Sequence, residues 1–413
     1  MRLHLIISAL MLGVFTPSFE QEAPIIFDDT VNTSSFIKIS SFNHYASNRV
    51  NNQLIDKFLF GGDITQEIKD DNFDRLKGFN SLGGEFEQRI DSYSPDINPF
   101  KKEKYGLQLS FSDNHFISAN WSKDLFQTAL YGNANSLGDT MDLSFVHAQY
   151  QHYQKLSFGF YDKKTFSSIQ LSFVTGSKTI NFHSADSWLL SHTEGDSVTL
   201  KLQAQGLNTA RLFPYWAFQG AGFAIDFNYN FLFKSKQGNR QVINLRINNL
   251  GAIFWNKETQ NYFVDSTTIY NGFDVKDFIN RDTNKVYNFK DTMGVIISIG
   301  KYTDVLPMEL VIEKLADRKS PNKVQAIFGF KAILTQDYRP YLYAGAYYQP
   351  NQKFSAASHF SYGGFGGFRW GLNLNYWPKE NLYFSLGSID LIGVVSKNFG
   401  FGRSANFSAC FKI

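Results

Sequence analysis

Residues 223–233 alternate large apolar side chains with mostly polar ones over eleven positions. The apolar positions are Phe223, Ile225, Phe227, Tyr229, Phe231 and Phe233, and the opposite side carries Asp226, Asn228 and Asn230. A period of two is typical of a β-strand with one apolar and one polar face. Because a tilted strand needs about 9–11 residues to cross the hydrocarbon of a bilayer, this segment predicts a strand that can span a membrane.

Strand-like windows follow one another from residue 103 to the end of the chain. Alternation is clear at residues 107–112, 156–160, 169–173, 198–205 and 243–248, and further candidates are 323–334, 338–349, 351–362, 367–377, 380–388 and 404–413. Counting the weaker windows gives about 14 strands, and an even number is usual for bacterial membrane barrels. We therefore predict an all-β fold, a transmembrane antiparallel β-barrel whose main meander is residues 103–413.

The first 22 residues have the features of a signal peptide. Arg2 supplies a positive charge, residues 5–15 form an apolar run, and small residues followed by polar ones place the cleavage near residues 18–22. We expect the mature chain to leave the cytoplasm and to reach the bacterial outer membrane, where lipid surrounds the barrel.

A soluble β-sandwich also alternates apolar and polar residues, so further features decide between the two folds. Some windows reach 11 residues, whereas strands commonly have about 5–6 in soluble proteins. The polar face carries Lys201, Asp226, Arg246 and Lys331, and this face is the outside of a sandwich or the lumen of a barrel. Lipid satisfies no backbone hydrogen bonds, so strands cross a bilayer only in a closed sheet. The signal peptide favours the barrel.

The composition argues against several other classes of protein. No window approaches the roughly 18 apolar residues of a transmembrane helix. Cys410 is the only cysteine, which predicts neither an intramolecular disulfide nor a lipid-anchored cysteine. A net charge of +3 is too small to indicate a nucleic-acid partner. Aromatic residues make up 17% of the chain, and Tyr and Trp are typical of the two interfaces of a membrane barrel.

Two regions are harder to assign. Within residues 23–102, residues 36–45 and 54–60 are candidate strands, and residues 64–78 form a loop or a short helix. This N-terminal segment contains either early barrel strands or an internal plug. Residues 256–290 are polar and much longer than a turn, so we expect an extracellular excursion there. Tight hairpin turns are expected at Asp337 and at residues 350–352 and 378–380.

Two motifs follow one another in the middle of the chain, Gly222-Phe-Ala-Ile-Asp226 and Ile247-Asn-Asn-Leu-Gly251-Ala-Ile-Phe-Trp255-Asn256. Together with Tyr131-Gly-Asn133 and Leu306-Pro307, they resemble an uncharacterised family of Bacteroidota outer-membrane β-barrels, a domain of unknown function. That family is distantly similar to the FadL-like fatty-acid transporters and to the barrel subunits of gliding and type IX secretion systems. The resemblance spans most of residues 103–413. It implies a partly plugged barrel that passes a small, hydrophobic solute.

Asp226 and Arg246 are the candidate ligand-binding residues. Asp226 lies on the non-lipid face of a strong strand, and Arg246 lies on a neighbouring strand. They form either a lumenal ion pair that orders the barrel interior or a contact for a polar solute. We favour the ion pair, because a wet barrel interior needs paired charges.

No enzyme active site is predicted. Five residues with side chains typical of hydrolases are close in sequence: His183, Asp186, Ser187, Ser191 and His192. Nucleophilic catalysis needs a base within hydrogen-bond reach of the hydroxyl and a third group that orients the base. Nearness in sequence does not supply this geometry, and no nucleophile-elbow signature surrounds either serine.

No metal or cofactor is predicted either. The histidines at 44, 115, 147, 152, 183, 192 and 359 show no ligand pair on a common face beside a carboxylate with the spacing of zinc sites. Strands flank the glycines at 363, 364, 366 and 367, so they indicate a bent or tightly approached strand rather than a phosphate-binding loop.

These features predict an outer-membrane barrel with a transport or channel role for a small solute. The alternative is a non-conducting barrel that serves as a scaffold for periplasmic or lipoprotein partners or for components of a secretion system. A transporter requires a lumen or a lateral opening lined by apolar side chains. A scaffold is expected to have a lumen filled by side chains and a stoichiometric partner.

Overall fold

The strands form one closed antiparallel barrel. The computed structural model describes residues 26–28, 34–98, 101–209, 217–236, 238–270 and 292–413. The strand Phe36–Ser47 pairs with the last strand, Gly402–Lys412, so the sheet closes on itself. The prediction of an all-β barrel with about 14 strands is confirmed. Each stretch of chain that crosses the barrel wall, whether it is one strand or several aligned strand segments, is termed a pass, and the wall has 14 passes. The predicted signal peptide at residues 1–22 lies outside the described residues.

The described strands and helices have the following bounds. The strands are β1 (Ile26–Phe27), β2 (Phe36–Ser47), β3 (Asn80–Ser94), β4 (Tyr105–Trp121), β5 (Thr140–Asp142), β6 (His147–Asp162), β7 (Ser168–Ser184), β8 (Trp188–Ser191), β9 (Val198–Asn208), β10 (Gly220–Lys234), β11 (Arg240–Trp255), β12 (Gln260–Tyr270), β13 (Ile296–Ile299), β14 (Tyr302–Val305), β15 (Glu309–Asp317), β16 (Val324–Ile333), β17 (Arg339–Asn351), β18 (Phe354–Gly364), β19 (Arg369–Lys379), β20 (Leu382–Ser388) and β21 (Gly402–Lys412). The helices are α1 (Asn52–Phe60), α2 (Gln66–Arg75), α3 (Lys123–Tyr131) and α4 (Leu391–Val395), with a 3-10 turn at Ala134–Ser136. Across the part of the chain that the structure describes, no helix is long and apolar enough to cross a membrane.

Three neighbouring passes of the wall are interrupted at one level. β9 and β10 share a pass, because β9 pairs with one half of β7 and β10 pairs with the other half. β11 with β12, and β13 with β14 and β15, make the next two passes. Backbone hydrogen bonds connect neighbouring passes where they are interrupted. The Asn256 N–H donates to the Gln219 carbonyl at 2.8 Å, and the Gly300 N–H donates to the Thr259 carbonyl at 3.0 Å. The wall is therefore locally irregular on one side of the barrel.

Part of the excursion predicted at residues 256–290 is a strand. β12 pairs with β9 along its whole length, from Gln260 opposite Asn208 to Tyr270 opposite Val198. The prediction is wrong for β12 because its hydrogen bonds to β9 hold a strand that has no uniformly apolar face. Residues 271–290 lie outside the described residues.

The two ends of the barrel differ in their connections. Short connections, including residues 163–167, 318–323, 352–353 and 380–381, lie at one end, which we term the turn end. The helices α1–α4 lie at the opposite end, which we term the loop end. The tight turns predicted near residues 350–352 and 378–380 are close to where the structure has them.

The outward face of the wall is apolar and the inward face is polar. Exposed outward side chains include Phe111, Leu156, Phe173, Phe231, Phe254, Phe328, Phe360 and Leu386. Buried inward side chains include Ser110, Ser112, Ser157, Ser172, Asn244, Asn373 and Asn406. A soluble protein buries its large apolar side chains and exposes its polar ones. The reversed distribution fits a wall that faces hydrocarbon and encloses a polar interior.

The N-terminal segment supplies two strands of the wall and two helices at the loop end. β2 and β3 pair with each other over the whole length of β2. Residues 54–60, predicted as a strand, belong to helix α1 instead. The prediction is wrong there because the Asn51 side chain accepts a hydrogen bond from the Leu54 N–H and so caps the helix, while the apolar residues recur at helical spacing. The short helix considered within residues 64–78 is α2.

The first described residues lie inside the barrel near the turn end. β1 pairs in parallel with the last two residues of β15. Its Phe27 is buried against Val242 and Leu315, and Ile26 and Phe27 line the interior. A short piece of chain thus fills part of the lumen.

Candidate functional site

The barrel interior contains a cavity of about 360 Å³. Its lining reaches Glu380 and Asn381 at the turn end and reaches Phe116 and Ile333 in the opposite direction. Aromatic rings form much of the wall: Phe42, Tyr93, Tyr153, Phe166, Tyr341, Tyr343 and Trp377. Sites for small molecules commonly have about 300–1,000 Å³, so the cavity is large enough to hold one.

A group of charged side chains crosses this cavity, and we term it the charged layer. Its members are Glu85, Glu87, Arg89, Asp91, Lys155, Asp226, Arg246, Glu309, Glu313 and Lys331. They project from β3, β6, β10, β11, β15 and β16, where alternate residues of each strand face the lumen. A buried charge is costly unless it is paired, so the layer depends on its ion pairs.

Asp226 is held by Lys155 and by the backbone of β11. The Lys155 Nζ donates to the two carboxylate oxygens at 2.8 and 2.7 Å and to the Asn249 Oδ1 at 2.7 Å. The backbone N–H of Asn249 donates to the Asp226 Oδ1 at 2.7 Å. Asn249 has a φ of 60°, and the register between β10 and β11 shifts beside it. It therefore occupies a β-bulge whose turned-in amide binds the carboxylate.

The two sequence motifs meet at this bulge. A Cβ on Gly251 would lie 2.0 Å from the carbonyl oxygen of Phe223, and a Cβ on Gly222 would lie 2.0 Å from that of Ala252. On the next pass, the Leu306 N–H donates to the Gly251 carbonyl at 3.1 Å. The motifs therefore encode a close junction between neighbouring passes, with Asp226 at its centre.

Arg246 has other partners than the one predicted. It faces Asn228 in the register of β10 and β11, and its guanidinium lies 3.7 Å from Glu309 and 3.8 Å from Glu313. An ion pair between Asp226 and Arg246 is therefore wrong, because the bulge shifts the register and brings a backbone amide to Asp226. Both residues do lie in the charged layer, where they are buried.

One ion pair reaches across the lumen. The Lys331 Nζ lies 2.8 Å from Glu85 and 2.8 Å from Glu309. Lys331 is on β16 and Glu85 is on β3, and these strands are the ninth and second of the 14 passes. The two strands lie on opposite sides of the barrel, so the ion pair bridges the lumen. The lumen is not an open pore at this level.

Apolar side chains close the interior at the loop end. Phe365 is fully buried and packs with Phe116 and Ile333. Gly83 makes room for it, since a Cβ there would lie 2.3 Å from the Phe365 ring. The glycines at 363, 364, 366 and 367 are expected to mark a bent or tightly approached strand. The chain turns inward there, and Gly363 has a φ of 106°, which favours glycine. The cavity is thus capped on this side.

Asp337 fastens the turn at residues 334–338 to the opposite wall at the loop end. Its carboxylate accepts a hydrogen bond from the Ser118 Oγ at 2.5 Å and one from Asn120, and it lies 2.6 Å from the His147 Nδ1. Burial would raise the pKa of Asp337, but these hydrogen bonds outweigh burial and lower the pKa below its usual value.

We expect Asp337→Asn to lower the free energy of unfolding at neutral pH by about 1–2 kcal/mol, because charge-assisted hydrogen bonds are lost. The carboxylate has a lower pKa in the folded state, so its contribution is complete above the usual aspartate pKa of about 3.9 and is lost as the pH falls through the lowered value. Urea unfolding of both proteins over an acid pH series measures this difference. The exposed Asp63→Asn serves as the control, and a difference that stays constant down the series would contradict the assignment.

The residues considered for a hydrolase do not form a catalytic arrangement. The Ser187 Oγ donates to the Gln203 carbonyl at 3.2 Å, and the His192 Nε2 lies 3.0 Å from the Thr199 hydroxyl. Asp186 pairs with Lys201. Within this described segment, neither Ser187 nor Ser191 has a hydrogen bond to a histidine.

A cluster that the sequence did not reveal lies on β4 and β6. His115 and His152 are cross-strand neighbours, and the Asp113 carboxylate contacts both rings. The expectation that no two histidines share a face beside a carboxylate is wrong for this pair. His115 and His152 are far apart in the sequence, so the pairing of β4 with β6 is what brings the second histidine to the carboxylate.

The closed wall, with its apolar outer face and charged interior, defines a transmembrane β-barrel. The chain belongs to the family of unknown function DUF5723, whose model matches residues 31–387. The resemblance to a barrel family of unknown function is confirmed. No curated protein matches the chain.

Several solved structures are similar to the chain at low sequence identity. A deletion mutant of the monoaromatic hydrocarbon channel TodX has 8% identity, covers 92% of this chain and 90% of its own, and gives a TM-score of 0.44. The Ralstonia pickettii toluene transporter TbuX has 9% identity, 91% and 88% coverage, and a TM-score of 0.37. A Pseudomonas aeruginosa FadL homologue has 8% identity, 92% and 90% coverage, and a TM-score of 0.36.

Proposed function

We propose that this protein is a barrel of the bacterial outer membrane that binds a small amphipathic solute in its interior cavity and transports it across the lipid bilayer. The observation that carries the proposal is the cavity of about 360 Å³, which is lined by aromatic rings and crossed by the charged layer. The rings suit the apolar part of a solute, and the charged layer suits its polar part.

Arg246 is the residue proposed to contact the polar group. Its Nε is buried and has no hydrogen-bond partner among the described residues, and its nearest carboxylate oxygens are at 3.7 and 3.8 Å. Asp226, by contrast, accepts three short hydrogen bonds from Lys155 and Asn249. We therefore assign Asp226 a structural role and Arg246 the contact with a hydrogen-bond acceptor of the solute.

Passage requires the interior to open. The Lys331–Glu85 pair bridges the lumen, and the solute would have to part it or pass beside it. Paired side chains can separate without breaking the wall, because the backbone hydrogen bonds of β3 and β16 are made to their own neighbours in the sheet. The pair is thus proposed as the gate.

The test uses release of 4-nitrophenyl glucoside, an amphipathic probe that crosses lipid slowly, from liposomes that contain the purified barrel. Wild-type barrels should release the probe faster than liposomes without protein. Arg246→Met should slow the protein-dependent release roughly tenfold or more, because a hydrogen bond to a charged group contributes about 1.5–3 kcal/mol. Lys353→Met, at an exposed turn, is the control and should release the probe at the wild-type rate. Release no faster than from empty liposomes would contradict the proposal.

A scaffold is the second candidate, and an exposed strand favours it. All residues of β13 are exposed, with Ile296 at 62% and Ile299 at 66%. Within the described residues β13 pairs with β12 on one edge alone, and a free edge can accept a strand from another protein. A scaffold predicts no protein-dependent release and a stoichiometric partner after gentle detergent extraction.

A further inference from the structure

Three side chains of the types that bind metal ions meet on β4 and β6. The His152 Nε2 lies 2.8 Å from the Asp113 Oδ1, and the His115 Nε2 lies 3.6 Å from the Asp113 Oδ2. One ligand atom from each residue lies within 4.8 Å of the others. The two imidazole rings are stacked, with their centroids 4.0 Å apart. A tetrahedral zinc ion, about 2.0–2.1 Å from each ligand, separates its ligand atoms by roughly 3.4 Å, so small side-chain movements would complete a site.

The cluster lies on the face of the wall where lipid-facing residues are expected. On the same face of β4 and β6, one step toward the turn end, Phe111 and Leu156 are 40% and 60% exposed. The side chains of Asp113, His115 and His152 are only 9%, 9% and 3% exposed. Ionisable groups on the outward face of a barrel are costly. Their concentration at one point therefore indicates a specific use rather than a solvated surface.

A hydrogen bond outside the cluster orients one of the histidines. The His115 Nδ1 lies 2.9 Å from the Tyr150 hydroxyl, which leaves the Nε2 directed to Asp113. Histidines that bind metals almost always make a hydrogen bond through the other ring nitrogen, which fixes the ring and its tautomer. Gln154 contacts the Asp113 Oδ1 at 2.7 Å and so positions the carboxylate.

We propose that Asp113, His115 and His152 bind a divalent transition-metal ion of the zinc class. Two imidazole nitrogens and one carboxylate oxygen are ligands that suit Zn²⁺ and Co²⁺. The three residues supply three protein ligands, and a fourth position remains for water or another group. Such an ion would join β4 to β6 and would neutralise the carboxylate on the outward face.

The test uses the full chain, purified in detergent with an affinity tag that contains no histidine and washed with chelator. Titration with Co²⁺, followed by its visible absorption, should show one tightly bound ion per barrel, which Zn²⁺ then displaces. His115→Gln and His152→Gln should each weaken binding by roughly 100-fold or more, and Tyr150→Phe by about 10–100-fold. His183→Gln, a change at an exposed histidine on β7 outside the cluster, should bind Co²⁺ like the wild type.

Each outcome decides the proposal. Heat-modifiable migration on gels shows whether every variant is folded, and Tyr150→Phe keeps all three proposed ligands if a histidine variant does not fold. A wild-type barrel that binds no Co²⁺ would overturn the site and leave a cluster of hydrogen bonds. Binding that is as tight in His115→Gln and His152→Gln as in the wild type would place the ion elsewhere and would overturn it equally.

Discussion

Replacing Lys155 by methionine is expected to lower the free energy of unfolding of the barrel by about 3–5 kcal/mol, because the Asp226 carboxylate is left buried without its closest positive charge. The two side chains are 3% and 7% exposed, and the Nζ lies 2.7 Å from the Oδ2. Lys155 also donates to the Asn249 side chain at the bulge. Its loss therefore removes both the ion pair with Asp226 and a hydrogen bond at the junction of β10 and β11. Urea unfolding of the refolded barrel, followed by tryptophan fluorescence, measures the effect.

Two further variants isolate the cause. Lys104→Met breaks an ion pair with Asp162 of 3.0 Å in which the lysine is 62% exposed, and such surface pairs contribute little to stability. Adding Asp226→Asn to Lys155→Met should recover much of the loss, because a neutral amide still accepts from the backbone N–H of Asn249. A loss in Lys155→Met no larger than that in Lys104→Met would show that the charged layer does not depend on this pair.

Gly251→Ala is expected to destabilise the barrel by about 3 kcal/mol or more, since overpacking at a site that cannot relax exceeds the usual cost. The added Cβ would lie 2.0 Å from the carbonyl oxygen of Phe223, so β10 and β11 would have to move apart beside the bulge. The fraction of heat-modifiable, folded barrel after refolding should fall severalfold, as measured on gels that separate folded from unfolded protein.

Gly300→Ala is the matched control for this substitution. A Cβ on Gly300 meets no atom within 4 Å, although the residue lies in one of the interrupted passes. We expect this variant to refold like the wild type. Equal refolding of Gly251→Ala and Gly300→Ala would contradict the close junction that we derive from the two motifs.

The wall of the barrel could be predicted from the sequence because a strand with one lipid face repeats every second residue. The predicted strands at 323–334, 338–349 and 367–377 differ by two residues or fewer at each end from β16, β17 and β19. In these strands a single physical requirement, an apolar outward face, acts on alternate residues. Periodicity therefore gives the positions of these strands in the sequence.

The partner of Asp226, the interrupted passes and the histidine cluster could not be predicted from the sequence, because they depend on contacts between strands. The partner of Asp226 is set by a one-residue bulge at Asn249, and alternation does not show where a register shifts. Each strand segment of the three interrupted passes keeps its own alternating sequence. The sequence pattern therefore does not show which segments align in one pass. Asp113 and His152 are 39 residues apart in the sequence and meet only through the pairing of β4 with β6.

The fold described above requires contact between lipid and the apolar faces of the strands around a closed barrel. Nitroxide labels placed one at a time along residues 223–233, in a chain whose single native Cys410 is replaced by alanine, test it most directly in reconstituted membranes. Collisions with oxygen should alternate with a period of two, highest at Phe223, Phe231 and the other apolar positions, which should also be protected from a water-soluble nickel chelate. Labels at the apolar positions that are shielded from both reagents, as in the core of a soluble protein, would show that these faces do not touch lipid.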